Sequence, residues 1–189
     1  ETDVPLITGM NGNEGSLFRG GMETSVDGFV SYVHTNYPNI SSELLVHYDV
    51  VSADMVESAV DHLIHDMFFA GPVRTHVRAH AHVTSPAWLY HFTHVPPTVT
   101  GDSLGSHHAA ELVYVFGTMR SSSDPAGESP LGLGSAGTWT ETDRQLSELI
   151  MAYWVQFAAT GDPNGGDLPL WPVFDTRTDE HLTLAELPQ

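Results

Sequence analysis

The chain has 189 residues, 41% of them hydrophobic, with 24 acidic residues against 6 basic ones and a formal net charge of −18 at pH 7. This charge argues against a nucleic-acid partner, which needs a basic face, and the absence of cysteine excludes disulfides and thiolate chemistry. No run approaches the ~18 apolar residues of a membrane-spanning helix, so we expect no membrane span, and the length of the chain allows no more than one ordinary core.

The first half of the chain predicts one strand followed by helices. The apolar run VPLITG at 4–9 ends in glycine and leads into a loop rich in glycine and asparagine, as a buried strand does. Residue spacing then predicts helices over residues 26–37, 41–47, 53–67 and 72–83. Ser52 is placed to cap the third helix. Pro72 is placed to open the fourth, because the first helical turn accepts proline.

The second half predicts two more strands and one long helix. PAWLYHFTHV at 86–95 has the pattern of a buried strand, and EHLTLAEL at 180–187 that of a last short one. Between them, Thr140 and Asp143 form a capping-box pair that starts the clearest helix of the chain. Residues 121–137, rich in serine, glycine and proline, are typical of a surface excursion.

Strands separated by long helical stretches predict an α/β architecture with parallel strand pairing. Only the strands at 4–9 and 86–95 have the apolar character of core strands. A parallel sheet needs more strands than two, with both faces covered. We therefore expect the chain to be part of a larger domain.

Two kinds of chemically useful side chain follow the two core strands. Glu14 lies in the turn after the first strand, and His107 and His108 lie in the loop after the second. In open parallel sheets, catalytic groups collect at the carboxyl ends of strands. An acid followed later in the chain by a histidine is the order of these groups in an α/β-hydrolase triad. A glutamate in such a turn is also compatible with a simple solvated position.

Three segments resemble type-B carboxylesterases, the cholinesterase-like branch of the α/β-hydrolases. VPLITGMNGNEGSLF resembles the acid-loop motif of that family, and GSHHAAELVYVFG resembles its histidine motif. YWVQFAATGDPN with LPLWPVFD resembles its closing helix, the Gly-Asp-Pro-Asn stop and the Trp-Pro segment. The three occur in the family's order and cover almost the whole chain. The resemblance implies the C-terminal part of an α/β-hydrolase fold, a mostly parallel sheet flanked by helices that is incomplete without an N-terminal half.

The resemblance also implies roles for individual residues. Glu14 matches the triad acid, and His108 matches the triad base because Glu111 stands three residues later, as the motif requires. Glu111 would hold the histidine region by hydrogen bonds. The motif has Asn13 before Glu14 where many members have aspartate, which leaves the acid itself in place.

The same match provides candidates for the substrate pocket. Leu17 and Phe18, just after the acid, correspond to positions that line the substrate gorge of the family. His107 is expected to border this pocket or to face solvent, because neighbours on an extended loop point in different directions.

A triad also needs a serine nucleophile, which the family carries in a G-x-S-x-G elbow. Ser16, Ser106 and Ser135 each lack the glycine two residues earlier, and no elbow is expected within this chain. We therefore expect the serine and the oxyanion hole on an N-terminal segment or partner chain. The substrate is expected to be a small-molecule ester, with no cofactor and no metal.

Two other functions and one property of the surface remain open at this point. His76 and His80 have helical i, i+4 spacing, with His82 nearby, and could hold zinc, although no H-E-x-x-H signature is present. A non-catalytic adhesion or interaction module of the same superfamily is the second alternative. Separately, a scattered acidic surface is known from halophiles, and stability that rises with added salt is expected.

Overall fold

Three parallel strands form the sheet of this chain. The computed structural model describes residues 2–21, 24–121 and 136–185. Strands β1 (Leu6–Asn11), β2 (Ala87–Phe92) and β5 (Leu182–Leu184) lie in the order β1-β2-β5, with both pairings parallel. Parallel strands place their carboxyl ends at one edge, so the loops after β1 and β2 meet there. The predicted α/β class with parallel pairing is confirmed.

Both predicted core strands exist, with shifted ends. The first runs over Leu6–Asn11 rather than 4–9, and Leu6 to Asn11 stand opposite Ala87 to Phe92 in register. The second ends at Phe92 instead of residue 95, because the next two amides both donate to the carbonyl of Leu184 and leave the ladder.

The first helices form a bundle next to the sheet. Helices α1 (Val26–Asn36), α2 (Ser41–Tyr48) and α3 (Ala53–His65) confirm the predicted positions. Ser52 precedes α3 as predicted, but its side chain makes no capping hydrogen bond. A cluster of buried apolar side chains joins α1 to α3: Phe29, Val33, Val56, Ala59, Val60, Leu63 and Ile64.

Pro72 lies in the first turn of a helix, as predicted, but that helix is continuous with the one before it and ends at His80. The backbone continues from α3 through a π-turn (Asp66–Ala70) directly into α4 (Gly71–His80). In a regular α-helix, the proline ring would clash with the carbonyl four residues earlier, and the wider i→i+5 turn before Pro72 relieves this conflict. A Cβ atom on Gly71 would lie 2.7 Å from the carbonyl oxygen of Asp66, so glycine is needed at this junction.

Helices cover both faces of the sheet. On one face, α4 contributes Val77 to a cluster with Met10 of β1 and Leu89 of β2. On the other face lies α7 (Glu141–Thr160), whose Tyr153 is buried against Trp88. The predicted capping box of α7, formed by Thr140 and Asp143, is present. The small sheet is therefore the centre of a three-layer arrangement.

The segment between β2 and α7 contains elements that were not predicted. These are α5 (Val99–Leu104), α6 (Leu112–Val115) and a two-residue parallel pairing of β3 (Arg120–Ser121) with β4 (Ala136–Gly137). Thr98 begins α5 by accepting a 2.9 Å hydrogen bond from the amide of Gly101. Most of the predicted surface excursion, residues 122–135, lies outside the described residues. The same holds for residues 186–187 of the predicted last strand.

No helix within the described ranges is long and apolar enough to cross a membrane.

Candidate active site

Glu14 lies in a short 3₁₀ turn directly after β1. This turn, Glu14–Leu17, is called the acid turn below, and Glu14 is only 5% exposed within it. The turn packs closely on α3: a Cβ atom at Gly15 would lie 1.9 Å from the carbonyl oxygen of Asp61. Only glycine can therefore follow Glu14 without moving the turn. Ser16 adds a hydrogen bond of 2.9 Å from its hydroxyl to the carbonyl of Leu104, which joins the acid turn to α5.

The loop over residues 105–111, called the histidine loop below, brings His108 to Glu14. Nδ1 of His108 lies 2.7 Å from Oε2 of Glu14. An ionised carboxylate can only accept a hydrogen bond, so Nδ1–H donates and the imidazole presents Nε2 on its other side. The Glu14 side chain is 7% exposed and the His108 side chain 43% exposed. The acid is thus shielded while the histidine remains accessible.

Backbone contacts hold the two loops side by side. The amide of Asn13 donates to the carbonyl of Ser106 at 3.0 Å, and Asn13 and His107 form an isolated parallel bridge. Ala109 has a φ of 67°, a left-handed conformation that non-glycine residues seldom adopt and that recurs at functional sites. The position of His108 therefore depends on a specific backbone turn.

Asn11, the last residue of β1, contacts three parts of the site. Its backbone amide donates to Oε1 of Glu14 at 2.7 Å. Its side-chain amide donates to the carbonyl of His107 at 2.8 Å and to Oε2 of Glu111 at 2.5 Å. Sequence reasoning missed Asn11, although a polar residue ending a buried strand was a usable signal. The side chain of Glu111, which belongs to the histidine loop, accepts the second of these side-chain hydrogen bonds.

The ionisation of Glu111 is set by opposing effects. Burial is the largest and raises the pKa of Glu111 above its ordinary value, while the hydrogen bond from Asn11 acts in the opposite direction. The nearby Glu14 carboxylate raises this pKa further, and His108 lowers it. Glu111 is thus electrostatically coupled to both members of the Glu14–His108 pair.

Of the two positions expected for His107, the solvent-facing one is wrong. His107 is 4% exposed, and its Nδ1 donates to the carbonyl of His108 at 2.8 Å. The two adjacent rings do point in different directions, but the compact turn at Ala109 sends His107 inward and leaves His108 outward. His107 helps to hold the backbone of the loop.

Two phenylalanines form an aromatic wall beside His108. The ring centroid of His108 lies 5.2 Å from that of Phe18 and 5.1 Å from that of Phe69. Phe18 and Phe69 are stacked with centroids 5.6 Å apart, and Phe18 is exposed. Leu17, the neighbouring pocket candidate, is half-buried at the end of the acid turn. Sequence reasoning missed Phe69, which reaches the site from the π-turn.

The expectation that this chain contains no G-x-S-x-G segment is wrong as a statement about the amino-acid sequence. Residues 101–105 read Gly-Asp-Ser-Leu-Gly. The nucleophile elbow requires a sharp strand-to-helix turn, whereas Ser103 lies inside helix α5. Its hydroxyl bonds to the carbonyls of Val99 and Thr100, at 3.0 and 3.1 Å. Ser103 therefore lacks the structural context of the elbow.

The zinc alternative finds no support in the described part of the chain. No group of three or more His, Asp or Glu side chains is arranged there to hold a metal ion. His76 and His80 both belong to helix α4.

Comparison with known proteins identifies the family. The sequence profile of the Carboxylesterase family matches residues 1–189. Carboxylesterase 5A of Felis catus is 30% identical over 197 residues, covering 96% of this chain and 34% of that protein. Carboxylesterase 5A of Homo sapiens is 31% identical over 140 residues, covering 72% of this chain and 23% of that protein.

A further relative is named as a fatty acyl-CoA hydrolase. The precursor of the medium-chain fatty acyl-CoA hydrolase of Anas platyrhynchos is 30% identical over 140 residues, covering 72% of this chain and 22% of that protein. This chain thus spans about a third or less of the length of these relatives. The family profile matches residues 1–189 of this chain, and the parallel sheet lies between helices. The chain therefore belongs to the carboxylesterase family, whose fold is the α/β-hydrolase fold.

Proposed function

We propose that this chain supplies the acid and the histidine of a Ser-Glu-His triad in a carboxylic-ester hydrolase. The observation that carries the proposal is the 2.7 Å contact between Nδ1 of His108 and the shielded carboxylate of Glu14. This contact fixes the tautomer in which Nε2 is free to accept a proton. The family membership of the chain supports ester hydrolysis as the reaction class.

In this proposal, His108 moves one proton in each half of the reaction. Its Nε2 takes the proton of the serine hydroxyl as the serine oxygen attacks the ester carbonyl. It then gives that proton to the departing alcohol as the acyl-serine forms. A water molecule attacks the acyl-serine by the same sequence and releases the acid. Glu14 stays ionised throughout and stabilises the positive imidazolium.

The aromatic wall contributes to substrate binding in this proposal. The ring centroids of Phe18 and Phe69 lie 5.2 and 5.1 Å from that of His108, so both rings place apolar surface beside the imidazole. An apolar acyl or alkyl group could lie against these rings while its ester bond approaches the imidazole. Leu17 remains a pocket candidate through the family resemblance, and His107 remains one because it lies on the same loop as His108.

The serine and the oxyanion hole are proposed to lie outside this chain. Residues 1–189 would form the C-terminal portion of one catalytic domain, completed by a segment that carries the G-x-S-x-G serine. The position of β1 supports this arrangement. In the described sheet β1 is an edge strand, although its carboxyl end bears the acid turn. An unpaired edge of this kind is suited to a further strand.

The test is labelling with a serine-directed fluorophosphonate, together with hydrolysis of p-nitrophenyl acetate. Residues 1–189 are expressed alone and joined to a serine-bearing N-terminal segment, each with Ser103 intact and as Ser103→Ala. We expect hydrolysis only in the joined form and no label on residues 1–189. The isolated chain should aggregate or bind hydrophobic dyes, because its sheet edge and apolar surfaces meet water.

Each outcome has a definite meaning for the proposal. Labelling of residues 1–189 that disappears in Ser103→Ala would assign the nucleophile to α5 and overturn the division of the triad. A joined protein that folds but neither hydrolyses the ester nor takes the label would favour the non-catalytic interaction module.

A further inference from the structure

Asn11 is almost fully buried at the junction of the acid turn and the histidine loop. It is 1% exposed and ends β1, three residues before Glu14. One backbone hydrogen bond leads from it to Glu14, and two side-chain hydrogen bonds lead to His107 and Glu111. Within the described part of the chain, Asn11 therefore links Glu14 to the histidine loop by hydrogen bonds.

Both partners of the Asn11 side chain are acceptors. The carbonyl of His107 and the carboxylate of Glu111 each need a donor, and one primary amide supplies two N–H groups. An aspartate at this position would set its own carboxylate against both acceptors. An apolar residue would leave both acceptors without this donor in a buried environment. The geometry thus requires an amide.

The remaining atom of the side chain indicates what the amide is for. Oδ1 of Asn11 is buried and has no hydrogen-bond partner. A buried acceptor without a partner destabilises the folded state, so Asn11 is a poor choice for stability alone. Such groups need a specific explanation. Here the explanation is the two donated bonds, which fix the histidine loop relative to β1.

We propose that Asn11, with Glu111 as its hydrogen-bond partner, is a positioning residue for the Glu14–His108 pair. It acts through the two loops and touches neither the substrate nor the reacting atoms. Its backbone amide orients the carboxylate of Glu14, while its side chain fixes the carbonyl that precedes His108. The effect on catalysis rests on the proposed ester hydrolysis, whereas the effect on geometry does not.

The first experiment measures the geometry without catalysis. Histidine side chains are labelled with ¹⁵N in the protein that joins this chain to the serine-bearing segment. The Nδ1–H proton of His108 is then observed by NMR. In Asn11→Asp we expect this resonance to shift upfield and broaden, because repulsion from His107 and Glu111 moves the histidine loop. An unchanged resonance in folded Asn11→Asp would overturn the proposal.

A matched control separates positioning from general loss of stability. Asn164 is another partly buried asparagine that joins two segments, with hydrogen bonds to both the amide and the carbonyl of Trp171. Asn164→Ala should lower the melting temperature and leave the His108 resonance unchanged. Equal changes of the resonance in the two variants would show that Asn11 acts only through overall stability.

The second experiment measures catalysis on p-nitrophenyl acetate. Since misplacement of about 1 Å costs about 10²-fold in rate, we expect Asn11→Asp to lower kcat about 10²-fold with KM changed less than about threefold. The double variant Asn11→Asp, Glu111→Gln should regain about tenfold or more, because the new amide at 111 donates to the new carboxylate. A double variant no faster than Asn11→Asp would overturn the role of the 11–111 pair.

The two experiments fail in different ways. If the unmodified protein takes no fluorophosphonate label and hydrolyses no ester, the proposed function fails while the NMR comparison still tests Asn11. If hydrolysis is normal and Asn11→Asp leaves both kcat and the resonance unchanged, the proposed function stands and the role of Asn11 is overturned.

Discussion

Two histidine–carboxylate pairs of nearly equal length lie within the described part of the chain. Nδ1 of His108 lies 2.7 Å from Glu14, and Nε2 of His94 lies 2.8 Å from Asp143. The His94 side chain is 17% exposed, against 43% for His108. By distance alone, either pair would qualify as a catalytic acid and base.

The surroundings of the two carboxylates distinguish the pairs. Asp143 also forms the capping box with Thr140 and accepts a 2.9 Å hydrogen bond from the hydroxyl of Tyr114. It joins the start of α7 to two other segments. The carboxylate of Glu14 instead has one backbone donor besides His108. A short histidine–carboxylate distance therefore shows that the two side chains are hydrogen-bonded. The other contacts of the pair indicate whether its role is structural or catalytic.

Replacing the two histidines should give the largest contrast. His108→Ala in the protein joined to its serine-bearing segment is expected to lower kcat by about 10⁴-fold or more, because the proton acceptor is lost. His94→Ala should retain kcat within about threefold. Steady-state hydrolysis of p-nitrophenyl acetate measures both. Similar losses in the two variants would show that the pairs do not differ in the way proposed.

Neutralising the two carboxylates should separate activity from stability. Glu14→Gln keeps the shape of the side chain but removes the charge that stabilises imidazolium, and kcat should fall by about 10⁴-fold. Asp143→Asn should leave kcat nearly unchanged and lower the free energy of unfolding by about 1–3 kcal/mol. Kinetics and urea unfolding of both variants provide the check. Near-normal turnover in Glu14→Gln would remove Glu14 from the triad.

Acid should weaken the Asp143 network selectively. Burial opposes ionisation of Asp143, but hydrogen bonds from Thr140, His94 and Tyr114 outweigh it and hold the pKa below 3.8. A lowered native pKa gives stability that is present above the unfolded pKa and is lost as pH falls through the native one.

The unmodified protein should therefore lose urea resistance between about pH 5 and about pH 3 more steeply than Asp143→Asn. Glu148→Gln, at an exposed position on the same helix, is the surface control and should follow the unmodified protein. Parallel pH curves for the unmodified protein and Asp143→Asn would contradict the assignment.

Salt should have the smallest effect and should act on neither pair specifically. With a net charge of −18, the melting temperature is expected to rise by about 3–6 °C between low and about 1 M salt, as surface repulsion is screened. Buried pairs are screened less, so the kinetic contrast between His108→Ala and His94→Ala should persist. A melting temperature that does not move with salt would argue against the salt-tolerance hypothesis.

Local sequence signals predicted what depends on neighbouring residues. The helices α1 to α3 follow from residue spacing, and the capping box at Thr140 follows from two residues three positions apart. The short helix α5 was missed because six residues provide too little periodicity to recognise.

Candidate site residues were predictable where a motif carried them, and not where a distant contact did. Glu14 and His108 were identified from the family resemblance, and the structure places them in contact. The burial of His107 depends on the left-handed turn at Ala109, which alanine does not signal. Asn11 depends on Glu111, a partner that is 100 residues away in sequence. Ser103 shows the reverse case, in which five letters match a motif while the backbone around them does not.

The number of residues in the π-turn between α3 and α4 sets the rotation of α4 about the helix axis. Each i→i+5 bond encloses one residue more than an α-helical bond, and each residue of a helix corresponds to about 100° of rotation. Loss of a single residue from Asp66–Ala70 would therefore preserve a long helix while rotating α4 by about a quarter of a turn. Phe69 would leave His108, and the Arg74–Asp179 ion pair that joins α4 to the C-terminal segment would break. The number of residues in the π-turn therefore determines which side chains of α4 contact the rest of the protein.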